Sequence, residues 1–124
     1  MSLKDDLSTK LKRDLRSADE IQLTVVGRKS GRKIPRPVWF GLQGEKLLLL
    51  PVSGSKTQWY RNVSKDPNVE ISVGKDVYKL HAKTVSNQQR IGEIVGKFKE
   101  KYGDGDIKRY YRNFDSAVEL SLSS

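Results

Sequence analysis

The chain has 124 residues, 35% of them apolar and 31% charged, a size and balance that fit one globular domain over residues 1–124 with a single core. It has no cysteine, so disulfides and thiolate metal sites are excluded, and its longest apolar run, LLLLPV at 47–52, falls far short of the roughly 20 residues that a membrane-spanning helix needs. A net charge of +9 favours anionic partners: nucleic acid, an acidic surface, or a phosphorylated or polycarboxylate small molecule.

In chain order, Leu3, Leu7, Leu11 and Leu15 recur every four residues among charged neighbours, which predicts an amphipathic helix over 3–16. Met1, Ser2 and Leu3 carry no argument of their own, and nothing at this end has the charged start and apolar stretch of a signal peptide, so a cytoplasmic location is expected. Residues 20–26 are β-branched and apolar and stop at Gly27, predicting a strand. It delivers the chain into RKSGRKIPR, where Arg28, Lys29, Arg32, Lys33 and Arg36 crowd around Gly31.

Residues 37–42 and 45–52 predict a hairpin around Gln43-Gly44, its first strand late-starting or at an edge because of Pro35 and Pro37. A Ser/Gly turn then leads into a short helix over 58–65 that Asp66-Pro67 ends. Val69, Ile71 and Val73 alternate with polar residues, and a turn at 74–76 returns the chain through Tyr78, Leu80 and Ala82 as a second hairpin. Ser86 with Gln89 forms a capping-box pattern ahead of a helix carrying Ile91, Ile94, Val95, Phe98 and Tyr102. Gly103 to Gly105 breaks it, a helical turn follows over 107–114, and Val118, Leu120 and Leu122 alternate as a last strand. Strands joined mainly by hairpins imply an antiparallel sheet, and about six of them with few helices suit a small barrel with helices at its rim.

Side-chain catalysts are scarce. His81 is the only histidine and lies in an alternating strand, and no His, Asp and Glu cluster has metal-ligand spacing. An enzyme built on this chain would borrow its reactive atom from a cofactor. In GRKSGRK the glycines free backbone N–H groups to converge on an anion, Ser30 adds a hydroxyl, and the cations add charge; the alternative is a solvated loop. In SGSKTQWYRN, Trp59 and Asn62 stand three positions apart on one helix face, where an indole and an amide can stack on and hydrogen-bond a heteroaromatic ring; the alternative is that Trp59 and Val63 anchor the helix to the core. Tyr110, Tyr111 and Phe114 form a third aromatic group, which suits core packing.

The stretches LTVVGRKSGRKIPRPVWF, SGSKTQWYRNVSKDPNVEISVG and DVYKLHAKTV, between about residues 20 and 86, resemble the deazaflavin-dependent nitroreductase family. That family lies within the pyridoxamine phosphate oxidase-like group of flavin-binding split β-barrels. The resemblance implies a mostly β split barrel with flanking helices, binding coenzyme F(420), a deazaflavin with a phosphodiester and a tail of glutamates. Hydride would pass from the reduced cofactor to a quinone, a nitroaromatic or another unsaturated acceptor. It further implies that Arg28, Lys29 and Ser30 hold the phosphate and tail, that Arg36, Pro37 and Val38 border the ring, and that Ser53, Gly54 and Lys56 line its other side. Trp59 and Asn62 would contact the ring or its linker, Tyr110 and Tyr111 would belong to the substrate pocket, and a homodimer is expected. An FMN-dependent oxidase or flavin reductase keeps the same fold with another cofactor. A barrel that binds nucleic acid without catalysis is the alternative that charge and aromatics allow.

Overall fold

The computed structural model describes residues 3–122, with side chains from residue 9 onward. Helix α1 (Leu3–Arg16) is followed by β1 (Ile21–Val26), β2 (Lys33–Val38), β3 (Gly41–Gln43) and β4 (Lys46–Leu49). A 3-10 turn (Gly54–Lys56) leads into α2 (Gln58–Lys65), then β5 (Asn68–Val73), β6 (Asp76–Val85), α3 (Gln88–Tyr102), α4 (Asp104–Tyr110) and β7 (Ala117–Ser121). The strands form one curled antiparallel sheet in the order β2-β1-β5-β6-β7-β4-β3. Strand β6 belongs to both halves: Asp76 to His81 pair with β5, and Ala82 to Val85 pair with β7.

The period-two pattern of β1 and β5 sends Ile21, Leu23, Val25, Val69, Ile71 and Val73 into the concave side, where Leu11, Leu15, Trp59 and Val63 from α1 and α2 complete the main core. The run of leucines in β4 does not alternate because both faces are covered. Leu47 and Leu49 enter the main core, whereas Leu48 and Leu50 meet Ile91, Ile94 and Phe98 of α3 and Ile107 of α4 in a second core. Strand β7 is shared likewise, with Val118 and Leu120 on one side and Ala117 on the other. Of the predicted leucine stripe, Leu11 and Leu15 are buried; the side chains of Leu3 and Leu7 lie outside the described residues, as do Met1 and Ser2 altogether.

Three expectations need correction. Helix α4 runs over Asp104–Tyr110, so only Gly103 interrupts the helices, and the turn expected over 107–114 starts and ends earlier. The strand predicted to start at 37 instead runs from Lys33 to Val38 and pairs along its whole length with β1, so it is not the partner of 45–52; residues 41–43 are. This adds a seventh strand to the about six expected. The prolines did not delay it because β2 is an outermost strand, where a missing N–H costs no ladder bond if it faces outward. At the start of α3, Asn87 rather than Ser86 is the cap, its Oδ1 accepting from the Arg90 N–H at 2.9 Å.

The second core also ties the two halves together through one hydroxyl. Tyr102 donates to the carbonyls of Asp19 (2.8 Å) or Phe40 (3.1 Å) and accepts from the Phe40 N–H (3.0 Å), while its ring stacks on Trp39. Burial pushes the Tyr102 phenol up to about 12 and also raises that of Tyr111. The folded state therefore keeps protons that the unfolded chain gives up near the ordinary tyrosine value of 10.0. This contribution is intact below about 10 and is lost as pH rises toward 12. The urea midpoint should fall over that interval; a midpoint that stays constant as pH rises from about 10 toward 12 would refute this.

Candidate functional site

The turn between β1 and β2 is closed by its own backbone. The Gly27 N–H donates to the Arg32 carbonyl and the Gly31 N–H to the Gly27 carbonyl, both at 2.8 Å, while Ser30 Oγ accepts from the Arg32 N–H at 3.2 Å. This loop is tight enough to need its glycines. A Cβ on Gly27 would lie 2.6 Å from Ser30 Oγ, and Gly31 has φ of +71°. Among the described residues, no group accepts from the N–H of Lys29 or Ser30, so two successive amides remain for an anion.

Opposite this turn stands α2, which the Thr57 N–H to Gly54 carbonyl bond of the 3-10 turn leads in and Asp66 ends. Trp59, Asn62 and Val63 are buried, as expected for one helix face, while Gln58 is exposed. Between the turn and the helix lies a cleft of about 280 Å³, lined by Arg28, Lys29, Ser30 and Arg36 on one side, Gln58, Trp59 and Asn62 on the other, and an apolar floor that includes Val25 and Ile34. Arg28 crosses it. Its backbone N–H (3.0 Å) and Nη1 (2.8 Å) both donate to Asn62 Oδ1, its Nη2 donates to Gln58 Oε1 (2.8 Å), and its carbonyl accepts from Lys65 Nζ (3.1 Å). The basic turn is thus a fastened element rather than a freely solvated loop, and Trp59 serves both the core and the cleft.

The structure therefore brings Arg28, Lys29, Ser30, Arg36, Trp59 and Asn62 together. It places the other candidates elsewhere. Val38 packs against the main core, and Pro37 is exposed, alternating with Arg36 along β2. Lys33 also alternates away from Ile34 and the cleft, pairing instead with Glu70 at 2.8 Å and holding that carboxyl below the usual range. Ser53, Gly54 and Lys56 form the entry to α2 without lining the cleft. Ser53 makes a β-bridge to Asn113, and the Ser55 N–H and hydroxyl donate to the two oxygens of Asp115 at 2.8 and 2.7 Å. Tyr110 sits half-exposed, edge-on to Trp39 (5.5 Å), and Tyr111 is buried against Phe98 and Phe114; both belong to the surroundings of the second core.

Two further residues matter here that no motif singles out. Gln58 stands four positions before Asn62 and hence on the same helix face, a spacing visible in the sequence. Asp115 has no such spacing, being 60 residues from the serine it holds. His81 is an exposed strand residue whose Nδ1 lies 3.5 Å from Asn68 Oδ1, and no metal-binding group of His, Asp and Glu occurs among the described residues.

The model of the F420H(2)-dependent quinone reductase family matches residues 3–114. Among solved structures, the fold is shared with an F420-H2 dependent reductase, FDR-A (TM-score 0.65, 19% identity, covering 83% of this chain and 94% of that one). It is also shared with the heme storage protein HutZ from Vibrio cholerae (TM-score 0.72, 17% identity, 95% and 91%). A third likeness is to a domain-swapped dimer (TM-score 0.64, 18% identity, 97% and 100%).

Proposed function

We propose, since the chain belongs to the F420H(2)-dependent quinone reductase family, that the cleft between the basic turn and α2 is where it holds its cofactor. The family makes the chain an oxidoreductase with coenzyme F(420) as its cofactor. The observation that carries the site is that one cleft joins three cations and two unused amides to a buried indole. A donor set of that kind suits an elongated molecule with a phosphodiester at one end and a flat ring at the other.

In this proposal Lys29, Arg36 and the amides of Lys29 and Ser30 bind the anionic portion, and Arg28 faces the phosphate from its fixed position. The edge of Trp59, with Val25 and Ile34, supplies the apolar wall on which a ring lies and from which water is displaced. When bound, the reduced deazaflavin supplies the hydride; the chain's part is to grip, orient and shield it. The acceptor is in the same proposal a quinone, in keeping with the family, or another unsaturated acceptor. The homodimer expected from the resemblance is likewise proposed, and sedimentation should give about twice 14.1 kDa.

Titration with F(420) should quench tryptophan fluorescence saturably. Lys29→Ala and Arg36→Ala should each weaken binding about tenfold at low salt, an effect that shrinks as ionic strength rises. Both side chains are exposed, so folding should be unaffected. Absence of saturable quenching in the unmodified protein would remove the proposal.

A further inference from the structure

Among the cleft's cations, Arg28 is distinguished by what holds it. Both side-chain partners of its guanidinium are amide oxygens, Asn62 Oδ1 at 2.8 Å and Gln58 Oε1 at 2.8 Å, and among the described residues no carboxylate comes within ion-pair distance. Asn62 is only 5% exposed and uses that same oxygen for the Arg28 N–H, so one buried acceptor fixes both the backbone and the head of the residue.

The choice of amide matters electrostatically. An amide oxygen orients a guanidinium through the same donor geometry as a carboxylate but carries only a partial charge. A carboxylate would fasten the turn more strongly and cancel the cation; Lys33, a few residues on, is cancelled in that way by Glu70. A guanidinium has five N–H donors. Two are taken by these amides, and the rest remain for a ligand in the cleft that Arg28 lines.

We infer that Asn62 and Gln58 are positioning residues that fix Arg28 while preserving its full charge, making it a preorganised subsite for a phosphate-type anion. The inference rests on the proposed cofactor role only for which phosphate ester fills the subsite.

Asn62→Asp is the discriminating substitution, because it keeps shape and acceptors and adds the charge. If the new carboxylate only repels the anion directly, it should lower affinity as much in an Arg28→Ala background, and the inference fails; charge preservation confines the larger part of the loss to protein that still has Arg28. Charge preservation also predicts a thermal midpoint at or above that of the unmodified protein, with affinity for inorganic pyrophosphate lower by about tenfold or more. Gln58→Glu, at an exposed position that does not threaten folding, should act in the same direction. Binding is read from the Lys29 and Ser30 amide resonances during pyrophosphate titration at low salt. The inference is overturned if the unmodified protein does not bind pyrophosphate, or if both variants bind it as the unmodified protein does. A parallel titration with F(420) judges the cofactor separately: protein that binds pyrophosphate but not F(420) keeps the subsite and loses the cofactor assignment.

Discussion

Trp59→Ala is expected to lower stability by about 3–5 kcal/mol and to abolish measurable F(420) binding. The stability loss follows from burial: the indole is 8% exposed, belongs to the main core and meets Tyr60 edge-on at 6.5 Å. Replacing a buried aromatic by a methyl group leaves a cavity that a short helix between a turn and Asp66 has little means to close. The binding loss follows from position, since the part of the indole not covered by the core faces the cleft. Because the alanine variant alone would confuse the two effects, Trp59→Phe is the companion. It retains most of the apolar area, so the stability loss should shrink to about 1–2 kcal/mol, while binding should still fall because a smaller ring leaves part of the wall unfilled. Thermal and chemical denaturation together with fluorescence of Trp39 check the first part. A Trp59→Phe protein that binds F(420) as tightly as the unmodified one would show that the indole is only a core residue.

Gly54→Ala should be the most damaging single-methyl change in the chain, costing about 2–4 kcal/mol. Gly54 has φ of +60°, and a Cβ there would lie 2.1 Å from Asp115 Oδ1 and 3.0 Å from the Asn113 side chain. That oxygen accepts from the Ser55 N–H, and its partner oxygen accepts from the Ser55 hydroxyl, bonds that hold the carboxyl below the usual carboxylate range. The alanine is therefore strained on its own account and also displaces an ionised acceptor from two donors. Gln58 begins α2 only two residues after the 3-10 turn, so the disturbance should reach the cleft and loosen Arg28 as well. Denaturant midpoints for Gly54→Ala beside Gly44→Ala, where φ is +57° and a Cβ meets nothing, separate the clash from the backbone strain. Equal losses in the two variants would refute the argument.

How much of this was legible in the sequence depended on the range of the interaction. Alternation in β5 and β6 and the apolar spacing of α3 were readable because each pattern is written within one element. The leucine run of β4 was readable as core, but its burial on both faces becomes apparent only once α3 and α4 are known to cover the far side of the sheet. The prolines of β2 pointed to an edge or a late start, and the edge is what the fold provides; its bounds and its pairing with β1 were missed, because nothing within the strand itself says which neighbour it will join. At the site, the basic turn and the helix were both visible as charge and as an indole with an amide. Their union was not, since Asn62 and Arg28 are 34 positions apart and an amide gives no sign of which cation it will hold. The serine-glycine turn was readable as the lead into α2, but its partner was not, since Asp115 lies 60 positions from Ser55.

The two outer strands carry a further consequence. At one margin, β2 has Pro35 and Pro37 at two of its six positions; at the other, β3 is three residues long. An incoming polypeptide that tried to extend the sheet would find donors missing on one side and almost no template on the other. Main-chain polymerisation is thereby discouraged even though the sheet does not close on itself, which leaves any pairing of copies to side chains.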